Sequence, residues 1–196
     1  MKPYSDASER NREPILKVLQ HWFMAPGTVL EIGSGTGQHA VWFAQHLPHL
    51  IWLATDREEN LSGIRSWVDE AALPNLRGPQ AFNVLDAAWP VSEVMYVFSA
   101  NTAHIMSWPE VEAMFAGVGR VLTAGGKYCL YGPFNRNGRF TSDSNHDFDA
   151  TLRARDPAMG IRDDEALIAL ARSSALTLIA DHSMPANNRL LVWVRG

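Results

Sequence analysis

The chain has 196 residues, with 17 Lys and Arg, 21 Asp and Glu, one Cys and a net charge of −4. This length favours one domain over residues 1–196, and a 46% hydrophobic, 19% charged composition excludes a disordered chain. A single Cys excludes an internal disulfide framework and a Cys-based zinc site, and it predicts a reducing, cytoplasmic location. The mild acidity argues against nucleic acid as the main partner. We expect neither a membrane segment nor a metal site, and the oligomeric state stays open.

Helix-like and strand-like segments alternate along the chain. Strands are predicted at 28–32, 50–54, 80–84, 94–99 and 127–131, with two further extended runs at 176–181 and 189–194. Helices are predicted at about 11–23, with Pro14 in the first turn, and at 39–47, 58–73, 107–122 and 163–175. The helix from Ser107 opens with a capping box completed by Glu110, and Gly125 and Gly126 should end it. The alternation predicts an α/β fold with a doubly wound sheet, to which the last two runs add an antiparallel edge.

The strongest local signal is a glycine-rich turn after the first predicted strand. Gly33, Gly35 and Gly37 alternate with Ser and Thr, and a helix follows directly. Without Cβ atoms the turn can adopt positive φ, and a ligand can lie against the bare backbone. A nicotinamide fingerprint would require Gly or Ala at position 38, where this chain has Gln38. A nucleotide-like ligand is therefore expected here, with a nicotinamide oxidoreductase disfavoured.

The pattern Glu-x-Gly-x-Gly-x-Gly from Glu31 to Gly37 instead resembles the first motif of class I S-adenosylmethionine (SAM) methyltransferases. The resemblance implies a Rossmann-like class I methyltransferase fold of seven strands with the last antiparallel. It also implies SAM as cofactor and S-adenosylhomocysteine as product. The three glycines would lie against SAM, and the Glu31 carboxylate would suit its amine-bearing methionine end.

Two acids and their neighbours extend this interpretation. Asp56 lies 19 residues beyond Gly37, close to the spacing of a ribose-binding acid. The resemblance further implies that Asp86 meets the adenine amino group, with Leu85 against the ring. Ser99, at the end of the fourth predicted strand, is a further candidate for cofactor binding. Alternatively, a lone Asp at a strand end is a helix cap or a solvated residue.

Longer motifs carry a wider resemblance. They are the segments 8–16, 98–105, 160–163 and 184–188. Together they resemble one small methyltransferase-like family, long catalogued as a domain of unknown function and related to methyltransferase-like protein twenty-six. In small methyltransferases the N-terminal segment often caps the cofactor, so residues 1–24 are expected to form a cap helix. Tyr4, Arg10 and Asn11 could reach the methionine carboxylate or the substrate, and an ordinary packing helix is the alternative.

Residues for the chemistry should follow the fourth and fifth predicted strands, beside the sulfonium of SAM. Methyl transfer needs alignment and, for a protonated nucleophile, a base. The catalytic candidates are Asn101, His104, Tyr131 and His146, with His104 as the possible base or as a residue that holds its loop.

A polar stretch at 133–148 is too long for an idle connection and predicts a substrate-side loop. Within it, Arg136 or Arg139 is expected to meet an anionic group on the substrate, and Asn145 to contact the substrate.

The residues favour a methyltransferase acting on a small molecule. The fourth predicted strand ends in Ser-Ala-Asn, without the Asn/Asp-Pro-Pro-Tyr/Phe motif of amino-methylating DNA and protein-glutamine enzymes. Cys129 alternates into a strand interior, which is typical of a buried apolar residue rather than a nucleophile. A SAM-binding protein without turnover, such as a sensor or accessory subunit, and a protein methyltransferase remain as alternatives.

Overall fold

A computed structural model describes residues 2–196 as a seven-stranded sheet with helices on both faces. The strand order is β3-β2-β1-β4-β5-β9-β8. The strands are β1 (Gly27–Ile32), β2 (Leu50–Asp56), β3 (Leu76–Ala81), β4 (Val94–Ala100), β5 (Leu122–Gly132), β8 (Leu176–Met184) and β9 (Asn188–Arg195). The predicted α/β fold with a doubly wound seven-stranded sheet is confirmed.

Six α-helices are present in the part of the chain that the structure describes. They are α1 (Asp6–Trp22), α2 (Gln38–His46), α3 (Leu61–Ala71), α4 (Trp108–Val121), α5 (Asp143–Arg155) and α6 (Asp164–Ser173). One buried cluster joins α1, α2 and α3 to one face of the sheet, and a second joins α4 and α6 to the other. Among residues 2–196 no helix is both long and apolar enough to span a membrane.

The last strand, β9, is antiparallel to both of its neighbours and lies inside the sheet rather than at its edge. Leu190, Leu191, Val192 and Trp193 are all fully buried, and such a continuous apolar run is typical of a strand covered on both faces. In β8 the exposure alternates, which suits the edge position. The antiparallel last strand is confirmed, but the strand at the edge is β8.

The predicted starts of α1 and β3, which bear on the site, were wrong. Helix α1 begins at Asp6, because Ser5 accepts a hydrogen bond from the Ser8 N–H at 3.2 Å and caps it five residues before the predicted start. Pro14 therefore lies inside the helix rather than in its first turn. Strand β3 occupies Leu76–Ala81, four residues before the predicted start, so the residues that follow it differ from those expected.

The capping box of Ser107 and Glu110 is present at the start of α4. Gly125 and Gly126 do not end this helix, because α4 stops at Val121 and the glycines lie within β5, where its pairing with β4 shifts register. The predicted loop at 133–148 is also partly ordered. It contains β6 (Phe134–Asn135), which pairs with β7 (Arg162–Asp163), and the first turns of α5.

Candidate functional site

A cleft of about 1560 Å³ opens at the carboxyl ends of β1, β2, β4 and β5. Residues from α1, α5 and the β8–β9 turn complete its walls. Nine sequence-predicted site residues line it: Arg10, Asn11, Gly33, Gly35, Asp56, Asn101, His104, Tyr131 and Asn145. Parallel strands end at one edge of the sheet, which is where this fold type forms its ligand crevice.

The three glycines have different environments, although all have positive φ. A Cβ built on Gly33 would lie 2.6 Å from Thr102 Cγ2, and one on Gly37 would lie 3.1 Å from the Ile64 Cα. A Cβ on Gly35 would meet no described atom within 4 Å. Gly33 and Gly37 therefore permit close packing within the protein, whereas Gly35 presents bare backbone to the cleft.

Asp56 is the last residue of β2 and holds the glycine turn. Its Oδ2 accepts a hydrogen bond from the Gly35 N–H at 2.6 Å. Its Oδ1 accepts from the Arg57 N–H at 2.7 Å and from Asn60 Nδ2 at 2.8 Å. The side chain lines the cleft while it is tied to two loops, so its orientation is preorganised.

Glu31 is buried beneath the turn and is not part of the cleft wall. Its Oε2 accepts hydrogen bonds from Ser34 Oγ at 2.7 Å and Trp52 Nε1 at 3.1 Å. Burial raises the pKa of Glu31 to about 7, against the two hydrogen bonds, which lower it. In the structure this carboxylate fastens the turn from below, and it does not face the space where a methionine group was expected.

Strand β3 ends early, and the residues after it reach the cleft in a different order from the predicted one. Phe82, Asn83 and Val84 line the cleft. Leu85 is 59% exposed and lies outside it. Asp86 is also outside the cleft, and its carboxylate accepts the Asn83 N–H at 2.9 Å. After β3, Asn83 thus lines the cleft, whereas Asp86, the residue that was expected to meet an adenine amino group, does not.

Ser99 is fully buried and also lies behind the wall. Its Oγ donates to the Ile32 carbonyl at 2.9 Å and lies 2.5 Å from Thr102 Oγ1. These contacts join the ends of β1 and β4. Ser99 therefore positions the cleft floor, and Thr102 is the neighbour that faces the cavity.

The N-terminal residues cross one rim of the cleft. The Ser5 N–H donates to Gln38 Oε1 at 2.6 Å, and Trp67 Nε1 donates to the Pro3 carbonyl at 2.7 Å. Tyr4 lies against the Trp67 ring on the outside, with 6.5 Å between centroids, and does not line the cleft. Gln38, which separated this turn from a nicotinamide fingerprint, thus has a structural role in holding the segment.

Helix α1 contributes Arg10 and Asn11 to the cleft. Asn11 Oδ1 lies 2.7 Å from Nε2 of His39, a cleft residue that sequence reasoning missed although it directly follows the glycine turn. Burial lowers the pKa of His39 to about 4, so the ring is neutral near pH 7.

His104 lines the cleft from the segment after β4. Its ring contacts Phe148 of α5 edge to face, with 5.3 Å between centroids. Burial, followed by the charge of Arg162, lowers the pKa of His104 to about 4. The imidazole is therefore neutral near pH 7. Asn101, in a left-handed conformation, donates its N–H to the Tyr131 carbonyl at 2.9 Å and brings β4 and β5 together here.

Arg162 fastens the His104 segment from behind. Its guanidinium donates to the carbonyls of Ala103 and Ala158, each at 2.9 Å, and to that of Met106. The His104 carbonyl accepts the Gly160 N–H at 2.9 Å. The motif around Gly160, noted in the sequence without a role, therefore supports the cleft wall.

Three of the substrate-side predictions lie outside the cleft. Arg136 pairs with Asp181 at 2.6 Å, and with Arg139 it lines a separate depression. His146 is exposed and faces Asp147 and the Phe140 ring. Helix α5 begins at Asp143, so its periodicity turns Asn145 and Phe148 to the cleft while His146 points away. The cleft residues missed in this region include Phe148, Arg155, Met159 and Asn188.

No group of three or more His, Cys, Asp or Glu side chains that could hold a metal ion is found within residues 2–196. Cys129 is buried in β5, and burial raises the pKa of its thiol.

Comparison with solved structures shows the fold of class I SAM-dependent methyltransferases. An O-methyltransferase family protein from Burkholderia thailandensis superposes with a TM-score of 0.84 at 17% identity, over 97% of this chain and 58% of that one. Mitomycin 7-O-methyltransferase gives a TM-score of 0.84 at 12% identity, over 97% and 54%. A methyltransferase of calicheamicin biosynthesis, with S-adenosylhomocysteine bound, gives 0.76 at 16% identity, over 94% and 54%.

The chain thus spans little more than half the length of these structures. A model of a family described as "protein of unknown function (DUF938)" matches residues 2–195. Since that match covers nearly the whole chain, the protein belongs to the DUF938 family.

Proposed function

We propose that the chain is a SAM-dependent methyltransferase that acts on a small-molecule acceptor. The observation that carries the proposal is the pairing of an open glycine backbone at Gly35 with the Asp56 carboxylate, over 2.6 Å, at the wall of one large cleft. A pocket for one drug-sized ligand has a volume of roughly 300–1,000 Å³. A cleft of about 1560 Å³ has room for a cofactor and an acceptor together.

The donors and acceptors on the cleft wall fit SAM. Its ribose hydroxyls need an acceptor, and Asp56 supplies one at the end of β2. An adenine edge presents both a donor and acceptors, which the amide of Asn83 can match. Arg10 offers a cation for the methionine carboxylate, and the carboxylates that line the cleft, Asp56 and Glu59, lie on the side where the cationic, donor-rich cofactor would bind.

Bound SAM supplies an activated methyl group that carries its own leaving group. The task left to the chain is therefore alignment and exclusion of water. The rim formed by Pro3 and Ser5 is held to Gln38 and Trp67, and the Phe148 ring lies against His104 in the cleft wall. Asn101 and Tyr131 also line the cleft and can orient an acceptor.

His104 can receive a proton or a hydrogen bond from the acceptor, because its ring is neutral near pH 7. A pKa of about 4 makes it a weak base. The same observation favours the second candidate function, a SAM-binding protein without turnover. An acceptor whose nucleophile is already deprotonated would need no stronger base.

The structural relatives named above include enzymes for mitomycin and calicheamicin, both small molecules. This supports the small-molecule acceptor as a proposal for the present chain.

Two measurements test the proposal. Isothermal titration calorimetry should show binding of SAM and S-adenosylhomocysteine, and labelled SAM should transfer its methyl group to a component of a metabolite extract. Binding without transfer would favour the second candidate function. Failure of the wild-type chain to bind either nucleoside would contradict both.

A further inference from the structure

The charges on the cleft wall are unevenly distributed. One part of the cleft wall consists of the segment after β4, helix α5 with the residues after it, and the β8–β9 turn, and we call this part the acceptor wall. Cleft-lining carboxylates, Asp56 and Glu59, both belong to the β2–α3 side. Within residues 2–196 the acceptor wall contributes no Asp or Glu side chain to the cleft.

One cation does belong to the acceptor wall. Arg155, the last residue of α5, lines the cleft. Its neighbour Arg153 pairs with Asp149, whereas Arg155 forms no ion pair with any described residue. Of the other cleft-lining arginines, Arg57 pairs with Glu110, and Arg10 comes from α1 on the cofactor side. The guanidinium of Arg155 is therefore free to bind a ligand.

The same wall carries exposed apolar side chains. Ile105 is 48% exposed and Phe148 39% exposed, and both line the cleft, as do Met106 and Met159. Exposed apolar side chains gathered in a concave site, rather than scattered, indicate a ligand surface. The ring of Phe148, set edge to face against His104, leaves a flat aromatic wall for a planar group.

From this arrangement we infer that the methyl acceptor is a small oxyanion with an apolar, ring-sized body, and that Arg155 selects its anionic group. The inference rests on the proposed function, since it names the acceptor class for that site. A guanidinium fork matches the two oxygens of a carboxylate or a phosphate. The missing carboxylates disfavour a cationic acceptor, which would be desolvated here without a partner.

The test uses four probes of one shape: para-hydroxybenzoate, para-hydroxyphenyl phosphate, para-hydroxybenzyl alcohol and para-hydroxybenzylamine. Each is titrated into the full chain in the presence of S-adenosylhomocysteine, and binding is followed by NMR. We expect an oxyanion to bind about tenfold to a hundredfold more tightly than the alcohol, as for a hydrogen bond to a charged group, and the amine to bind most weakly. The oxyanion that binds more tightly identifies the group.

The variant Arg155→Gln should abolish that preference and leave the affinity for the alcohol unchanged. Arg139→Gln is the matched control, because it removes the same charge from an exposed position outside the cleft. The inference would be overturned if the wild type bound the alcohol or the amine more tightly than the oxyanions. It would also be overturned if Arg155→Gln and Arg139→Gln lost the same amount of oxyanion affinity.

A separate titration of S-adenosylhomocysteine alone distinguishes failure of the proposed function from failure of the inferred acceptor class. If the wild-type chain binds S-adenosylhomocysteine but shows no preference for the oxyanions, the acceptor class alone is refuted. Absence of nucleoside binding refutes the proposed function.

Discussion

The Gly35 N–H donates to the Asp56 carboxylate over 2.6 Å, which ties the turn after β1 to the end of β2. The contact makes one carboxylate both a support for the glycine turn and a part of the cleft wall. The open backbone of Gly35 and the carboxylate of Asp56 therefore lie next to each other, in the part of the cleft that we assign to the cofactor.

Replacement of this carboxylate should weaken cofactor binding strongly. We expect Asp56→Asn to lower the affinity for S-adenosylhomocysteine about tenfold to a hundredfold, because hydrogen bonds to a charged group are among the stronger ones. Calorimetry measures the effect. Asp69→Asn, an exposed Asp on α3, is the matched control and should bind like the wild type. If both variants lost affinity to a similar extent, the cause would be the change in the protein's net charge rather than the loss of the Asp56 carboxylate from the cleft.

Substitutions at Gly35 and Gly33 should distinguish an effect on nucleoside binding from an effect on the stability of the fold. Gly35→Ala places a methyl group in the open cleft, so it should weaken nucleoside binding while left-handed strain costs about 1–2 kcal/mol of unfolding free energy. Gly33→Ala meets Thr102 at 2.6 Å, and overpacking should cost about 1–3 kcal/mol more. Urea unfolding and calorimetry measure the two effects. If Gly35→Ala bound S-adenosylhomocysteine normally, its backbone would not face the cofactor.

Glu31 should make stability depend on pH. Its pKa is raised from 4.5 to about 7 on folding, so between these values the folded chain binds more protons than the unfolded chain. The free energy of unfolding should therefore fall by about 3 kcal/mol as the pH rises through this window. Glu31→Gln removes the titration while its carbonyl can still accept from Ser34 and Trp52.

Urea unfolding at about pH 5 and about pH 8 tests this. The difference in unfolding free energy between wild type and Glu31→Gln should change across the range. Parallel pH profiles would show that Glu31 keeps an ordinary pKa when folded.

Arg162 should affect both the stability of the fold and the pKa of His104. Arg162→Met leaves three backbone carbonyls without their donor, and we expect a loss of about 2–4 kcal/mol. The pKa of His104 should rise from about 4 but stay below 6.5, because burial is its larger cause and Arg162 the smaller.

Urea unfolding and an NMR titration of His104 follow these changes. Arg172→Met, at an exposed position on α6, is the control and should alter neither quantity. An unchanged His104 titration in Arg162→Met would contradict the coupling between the two residues.

The sequence predicted correctly those features of the fold that depend on residues close together in the chain. The turn from Gly33 to Gly37 follows from residues without Cβ atoms between a strand and a helix. The capping box of Ser107 and Glu110 is also a local hydrogen-bond pattern. Alternating strands and helices then suffice for a doubly wound sheet.

The tertiary structure decided which side chains reach the cleft. Strand β3 ends at Ala81, three residues before its predicted end, which places Asn83 and Val84 at the cleft wall and leaves Leu85 and Asp86 outside. An unpredicted helix, α5, removes His146 from the cleft and brings in Phe148 and Arg155. Composition determined a folded, mildly acidic chain with one Cys, but the net charge of −4 could not reveal that the cleft's acids lie on one side. That separation depends on strand register and helix phase, which are set by packing between distant segments.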